Sequence, residues 1–324
     1  VVSSETAINN LVPNGIVAIY YGYQDFRQST NIEHASDQSG RELFEAFFGS
    51  PAADSDLFPQ FFTHTKHSTL LEKSPPHVVL NLVESMAEVL LKPTFSGEIN
   101  LAGELRHHLE TDYYFPRFLP AHDDTQKSLM SLLVNTELSS ISHAAYQHIP
   151  LQTSVAQVFK KAGYKTLFVY SGFEELSNRS EYFKTQGFDD FIGAERLTAL
   201  YPTMHNTVWG GEDKFLFDEV YKQLSNYQKG DKPLFIVTLT VTNHPPYKLP
   251  PEHSLDLTDI PQRLMSRLQD LPEKSFDTYL YTNDQLGRFI TKIKASHLKE
   301  TTIIAATGDH AIRGMYFNTD ERLH

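Results

Sequence analysis

Cysteine is absent from the chain. That excludes a disulfide scaffold, thiolate zinc sites, iron–sulfur clusters and a cysteine nucleophile, while leaving the redox compartment open. Positive charge is scarce: 28 Lys and Arg stand against 40 Asp and Glu, a formal net charge of −12. So acidic a balance argues against a nucleic-acid partner, whose phosphates need basic side chains. Long apolar runs are missing too. The longest, 78–83, 234–241 and 303–306, fall far short of the ~20 residues of a spanning helix. No signal peptide opens the chain, and neither internal repeats nor low-complexity tracts occur. The opening Val-Val-Ser-Ser-Glu-Thr reads as a cut inside a longer protein, and the closing Asp-Glu-Arg-Leu-His as an incomplete end. What is present is 324 residues, 40% hydrophobic and 21% charged, with 16 Gly and 17 Pro, which is a globular composition. The length suits one large α/β domain or two smaller ones, with a core that needs neither disulfide nor structural metal.

The pattern changes along the chain. Residues 1–72 carry no strand pattern and mix helical stretches (Ala7 to Tyr23, Gly40 to Phe48) with a Pro/Asp/Ser loop from Ser50 to Pro59. They read as an arm or linker leading into a main domain at 73–324. From Pro75 onward, strands alternate with helices. Four runs, 77–83, 165–170, 234–241 and 301–307, are rich in β-branched and apolar residues, as expected of a parallel sheet covered on both faces. Between them, 151–162 (with Gly163 as its C-cap), 214–227 and 276–295 have helical spacing. The alternation predicts a doubly wound α/β fold.

Ligands in such sheets bind beyond the carboxyl ends of the strands. After the first run comes Glu84, after the second Ser171-Gly172, after the third Thr242-Asn243-His244, and after the fourth Gly308-Asp309-His310. Three of the four ends thus release a carboxylate or an imidazole at one rim, an oxygen- and nitrogen-rich set suited to Mn²⁺, Mg²⁺ or Zn²⁺. Each has a plainer role: a carboxylate favouring a helix N-terminus or a turn residue. The His107-His108 pair, without spaced partners, reads as surface.

A nucleophile is sought in His122-Asp-Asp-Thr-Gln-Lys-Ser-Leu-Met-Ser-Leu-Leu133. Asp123 or Asp124 can cap a helix starting near Thr125, with Leu129, Leu132 and Leu133 as its buried face. Thr125 then sits in the first turn, where free N–H groups and the helix dipole attract a phosphate. A metal bonded to its hydroxyl would lower the hydroxyl pKa and create a nucleophile. The plainer role is capping alone.

Taken together and in order, these segments resemble the alkaline phosphatase/sulfatase superfamily, and within it lipoteichoic acid synthase and related phosphoglycerol transferases. The resemblance covers 73–310 and is carried by 76–85, 125–133, Ala162-Gly-Tyr-Lys-Thr166, Gly187-Phe-Asp189, Val208-Trp-Gly-Gly-Glu-Asp213, Thr240-Val-Thr-Asn-His-Pro-Pro246, 281–289 and 302–310. It implies an alkaline phosphatase-like, mostly parallel central sheet flanked by helices. It implies that Glu84, Asp309 and His310 hold one divalent ion, Mn²⁺ favoured, with Thr125 as fourth ligand and nucleophile. It further implies that His244 holds the phosphate or its glycerol, that Trp209 lines the pocket, and that Asp213 lies near it on the substrate side. The arm before residue 73 resembles the segment that joins this family's membrane helices to its catalytic domain. Two departures stand out: Asp123-Asp124 replaces an approach that is Gly-rich in many relatives, and the chain stops at His324 where members continue into further strands.

The activity so implied transfers glycerol phosphate from phosphatidylglycerol to a glycan or glycerol-phosphate acceptor through a phosphorylated threonine, outside the cytoplasmic membrane and tethered by an N-terminal anchor. The motif Cys/Ser-x-Pro-x-Arg, which sulfatases convert to formylglycine, is absent. A phosphoethanolamine transferase, a metal-dependent phosphodiesterase and a catalytically silent lipid- or glycan-binding domain stay open as alternatives.

Overall fold

The structure is a computed structural model and describes residues 15–30, 37–49, 66–92, 99–144, 146–228, 230–250, 253, 260–269 and 271–315. The expected loop from Ser50 to Pro59 and the first eight residues of the stretch from Ala7 lie outside them. Packing divides the chain between Pro75 and Pro76. The first unit contains α1 (Gly15–Thr30), α2 (Asp37–Phe48) and α3 (Thr69–Lys73). The Ser68 hydroxyl caps α3 by accepting from the Leu71 N–H.

The second unit is built on β1 (His77–Val83), β2 (Lys165–Tyr170), β3 (Asp190–Ile192), β4 (Leu234–Leu239) and β5 (Thr302–Gly308). They form one parallel sheet in the order β3-β2-β4-β1-β5. Parallel neighbours require crossovers, and helices supply them. These are α4 (Glu88–Leu91), α5 (Leu105–Thr111), α6 (Thr125–Val134), α7 (Val155–Lys161), α8 (Arg179–Thr185), α9 (Ala194–Leu200), α10 (Asp213–Ser225), α11 (Gln262–Met265) and α12 (Ser275–Lys294).

Strand side chains alternate between faces. Leu167, Val169 and Ile236 join one core with Leu90, Leu105, Leu197, Leu216 and Leu286 from α4, α5, α9, α10 and α12. Phe168, Tyr170, Phe235 and Val237 join the other with Leu129, Ala156 and Phe183 from α6, α7 and α8. Stacked rings tie the second core together, with Phe159 and Phe235 centroids 3.8 Å apart. The doubly wound sheet is therefore as expected. Its polar rung is also satisfied: buried Asn81 donates to the Ala305 carbonyl and accepts from the Thr238 hydroxyl.

Several expectations are corrected. β4 stops at Leu239 rather than Val241, because the Val241 N–H is taken by the Asp213 carboxylate instead of the ladder. The helix placed at 151–162 begins at Val155, since Gln186 accepts the Leu151 N–H and Ser154 is the N-cap. The buried face of α6 is formed by Leu129, Met130, Leu133 and Val134, leaving Leu132 exposed. At 100° per residue that face is centred between Leu129 and Met130, which turns Leu132 outward. β3 was not expected at all, and β5, on the sheet edge, is partly exposed rather than covered on both faces. His108 is buried, its Nε2 against the Gly287 carbonyl and the Thr291 hydroxyl, so only His107 of the pair is a surface residue.

Candidate metal and phosphoryl-transfer site

β1 and β5 are paired in register, with Val83 opposite Gly308. The next residue on each strand, Glu84 and Asp309, therefore emerges beside the other, and His310 follows. All three are buried, and one ligand atom from each lies within 4.8 Å of the other two. His310 Nε2 is 3.6 Å from Glu84 Oε1 and 3.7 Å from Asp309 Oδ2. His310 Nδ1 is 2.9 Å from the Ala311 carbonyl. A carbonyl only accepts, so Nδ1 donates to it and Nε2 is the ring nitrogen directed toward the carboxylates.

The backbone sets these side chains. Ser85 adopts φ 55°, uncommon for a residue with a Cβ. In that conformation its N–H donates to Asp309 Oδ1 at 2.9 Å and its hydroxyl to Glu84 Oε1 at 2.8 Å. Asp309 Oδ1 also accepts from the His310 N–H, while the Glu84 N–H donates to Thr240 Oγ1 and its carbonyl accepts from Asn243 Nδ2. Burial pushes the Glu84 pKa well up, and the neighbouring Asp309 charge pushes it further. Two buried carboxylates and an imidazole nitrogen directed at one point are a donor set that a divalent cation fits.

Thr125 comes to this set from α6. The Asp124 side chain caps the helix by accepting from the Lys127 N–H, and Thr125 is the first helical residue. Its hydroxyl donates to Asp309 Oδ2 at 2.7 Å, with Glu84 Oε2 at 3.4 Å. Next to it, Gln126 accepts from Arg179 Nε at 3.2 Å and donates to the Ser142 hydroxyl. Arg179 is buried, donates to the Tyr170 hydroxyl at 2.7 Å and lies over that ring. Its charge acts on Glu84. Arg179 was not singled out from the sequence, being a lone Arg whose partners come from positions 126 and 170. A cleft of about 550 Å³ opens among the residues flanking Thr125 in the chain, Asp124 and Gln126, together with Asp123, Lys127, Ser177 and Arg313.

The remaining expected residues divide. Trp209 and His244 are half-buried with ring centroids 3.9 Å apart. Burial lowers the His244 pKa, and His310, Asp309 and Arg313 all act on it electrostatically, so the pair borders the same site. Asp213 differs from expectation. It is fully buried, and its carboxylate accepts from the Ser171 and Thr282 hydroxyls and from the Val241 and Thr242 N–H groups. A carboxylate so committed has no capacity left for a substrate. It ties the ends of β2 and β4 to α10 and α12.

A family model described as Sulfatase matches residues 76–323. Among curated proteins the chain is similar to phosphoglycerol transferase I of Salmonella typhi, 24% identical over 295 residues that cover 88% of this chain and 35% of that protein. Phosphoglycerol transferase I of Escherichia coli is 23% identical over the same span and shares. The chain thus spans 35% of the length of these relatives. Among solved structures, the lipoteichoic acid synthase LtaP of Listeria monocytogenes has a TM-score of 0.61 at 21% identity, covering 73% of this chain and 56% of that one. A protein of the alkaline phosphatase superfamily from Vibrio parahaemolyticus also has a TM-score of 0.61 at 21% identity, covering 77% and 58%. The periplasmic domain of EcEptC from Escherichia coli, in complex with Zn, has a TM-score of 0.51 at 18% identity, covering 74% and 64%.

Proposed function

The chain belongs to the sulfatase family, and from that premise we propose that it is a metal-dependent phosphotransferase that moves glycerol phosphate from phosphatidylglycerol to a glycan or glycerol-phosphate acceptor. The observation that carries the reading is the Thr125 hydroxyl, in the first turn of α6 and within hydrogen-bond reach of both buried carboxylates. The names of similar proteins support phosphoglycerol as the group moved and transfer as the reaction class.

Glu84, Asp309, His310 and the Thr125 hydroxyl would hold one divalent ion, Mn²⁺ favoured with Mg²⁺ or Zn²⁺ also suited, which when bound lowers the hydroxyl pKa and offsets charge on the transferring group. Thr125 Oγ1 gives its proton to Asp309 Oδ2 and attacks the donor phosphorus; a P–O bond to threonine forms as the bond to the diacylglycerol oxygen breaks, and that oxygen leaves as a hydroxyl carrying the relayed proton. The acceptor hydroxyl then attacks that phosphothreonine and restores Thr125. The free N–H groups at the start of α6 and the Arg179 guanidinium supply positive charge to the phosphoryl oxygens. His244 Nδ1 is 3.3 Å from the Pro245 carbonyl, which leaves Nε2 of this low-pKa imidazole able to take the acceptor's proton. The reading puts the domain outside the cytoplasmic membrane, carried by an N-terminal anchor, where lipid headgroups and glycan acceptors meet. A second reading, phosphoethanolamine transfer, is favoured by Asp123 and Asp124 at the cleft, which suit an ammonium headgroup.

The test is release of diacylglycerol from phosphatidylglycerol or phosphatidylethanolamine micelles with Mn²⁺. Turnover with the first lipid, lost in Thr125→Ala and kept in Ser128→Ala, is expected. Turnover with the second lipid alone selects the alternative donor. No turnover of any phosphodiester, with no metal by elemental analysis, contradicts both and leaves a silent binding domain.

A further inference from the structure

Between α5 and α6 runs Tyr113-Tyr-Phe-Pro-Arg-Phe-Leu-Pro120. Its large apolar side chains face outward: Tyr113 is 97% exposed, Phe115 72%, Phe118 63% and Leu119 65%. The segment is nonetheless held in place. The Phe118 N–H donates to the Phe115 carbonyl, closing a turn with Pro116 at its second position. The Tyr114 hydroxyl donates to Glu88 Oε1 at 2.7 Å and pins the loop to α4. A turn so fixed presents four apolar groups and the Arg117 guanidinium to solvent, which costs free energy unless something covers them.

We propose that residues 113–119 form a bilayer-docking loop, in which Tyr113, Phe115, Phe118 and Leu119 enter the headgroup–acyl boundary of a phospholipid membrane. Three observations select a lipid surface over a protein partner. The composition is that of membrane interfaces: aromatics with a polar edge, a leucine, prolines and an arginine whose charged end stays at headgroup level. The charge is complementary: in a chain of net charge −12, residues 113–122 carry no Asp or Glu and one Arg, so this tip meets anionic lipid with less repulsion than the acidic chain as a whole. The location is apt: Leu119 and Thr125 are six positions apart, a span of at most about 20 Å when fully extended, so a docked loop holds the nucleophile within reach of the lipid headgroups. This last point rests on the phosphotransfer reading; the first two do not.

Flotation of the full chain with vesicles of phosphatidylglycerol and phosphatidylcholine tests the proposal, comparing wild type with Phe115→Ser/Phe118→Ser. Both side chains are exposed, so thermal unfolding and turnover of a water-soluble phosphodiester are expected to stay as in wild type. The vesicle partition coefficient is expected to fall by roughly tenfold or more. Equal partitioning of the two proteins, or none by wild type, overturns the proposal. So does a concentration-dependent dimer that the double variant abolishes in place of vesicle binding, which assigns the loop to a second copy of the chain. Lost vesicle binding in proteins that turn over no phosphodiester upholds the docking and contradicts the catalytic reading instead.

Discussion

Glu84 and Asp309 are buried side by side, and the pair is tolerable only because positive charge and N–H or O–H donors surround it. Arg179 is a fixed cation that acts on Glu84, and Gln126 holds its Nε in place. Because one guanidinium face serves both Gln126 and Tyr170, lysine cannot reproduce it. Arg179→Lys is expected to lower kcat about 10–1,000-fold with KM less affected, as for loss of one preorganised donor to a transition state. Steady-state kinetics of diacylglycerol release check this; unchanged kcat would remove Arg179 from the reaction.

At the scale of elements, the site is what strand register and one helix start produce. β1 and β5 deliver adjacent residues, and α6 delivers Thr125. Asp213 is the tie that holds neighbouring elements: its carboxylate takes donors from the ends of β2 and β4 and from α12. Asp213→Ala leaves several of these buried donors unpaired and is expected to destabilise the fold by about 3 kcal/mol or more, measured as a drop in urea midpoint. The strands and the clustered carboxylates and imidazole at their ends were legible in sequence because apolar runs end sharply in Glu, Asp and His. The position of Thr125 at the start of α6 was legible because an Asp cap precedes a helical pattern. Asp213 was misjudged because its partners lie 28 to 69 residues away, and nothing local distinguishes a saturated carboxylate from one facing a cleft. β3, three residues long, is too short to carry a period. Arg179 and Ser85 escaped because a buried guanidinium and a left-handed serine are tertiary facts.

For the whole molecule, stability also depends on pH through the start of β1. His77 is buried, and its Nδ1 accepts the Leu234 N–H at 3.0 Å, tying the first residues of β1 and β4. Burial lowers its pKa from the usual 6.5. The unfolded chain therefore binds the proton first as pH falls, so this contribution is complete above about pH 6.5 and is lost on acidification toward the lower folded pKa. His77→Asn keeps an acceptor at the same side-chain position without titrating. Its Tm is expected to fall less than that of wild type between about pH 7 and 5.5; parallel curves would contradict the assignment. Across the molecule, the proposed chemistry requires that four side chains distant in sequence enclose one cation. An anomalous difference map recorded at the manganese edge from crystals soaked in Mn²⁺ tests that directly. One peak bonded at about 2.0–2.3 Å by Glu84, Thr125, Asp309 and His310 is the predicted result. A map without a peak there, or with the ion bound elsewhere, would contradict it.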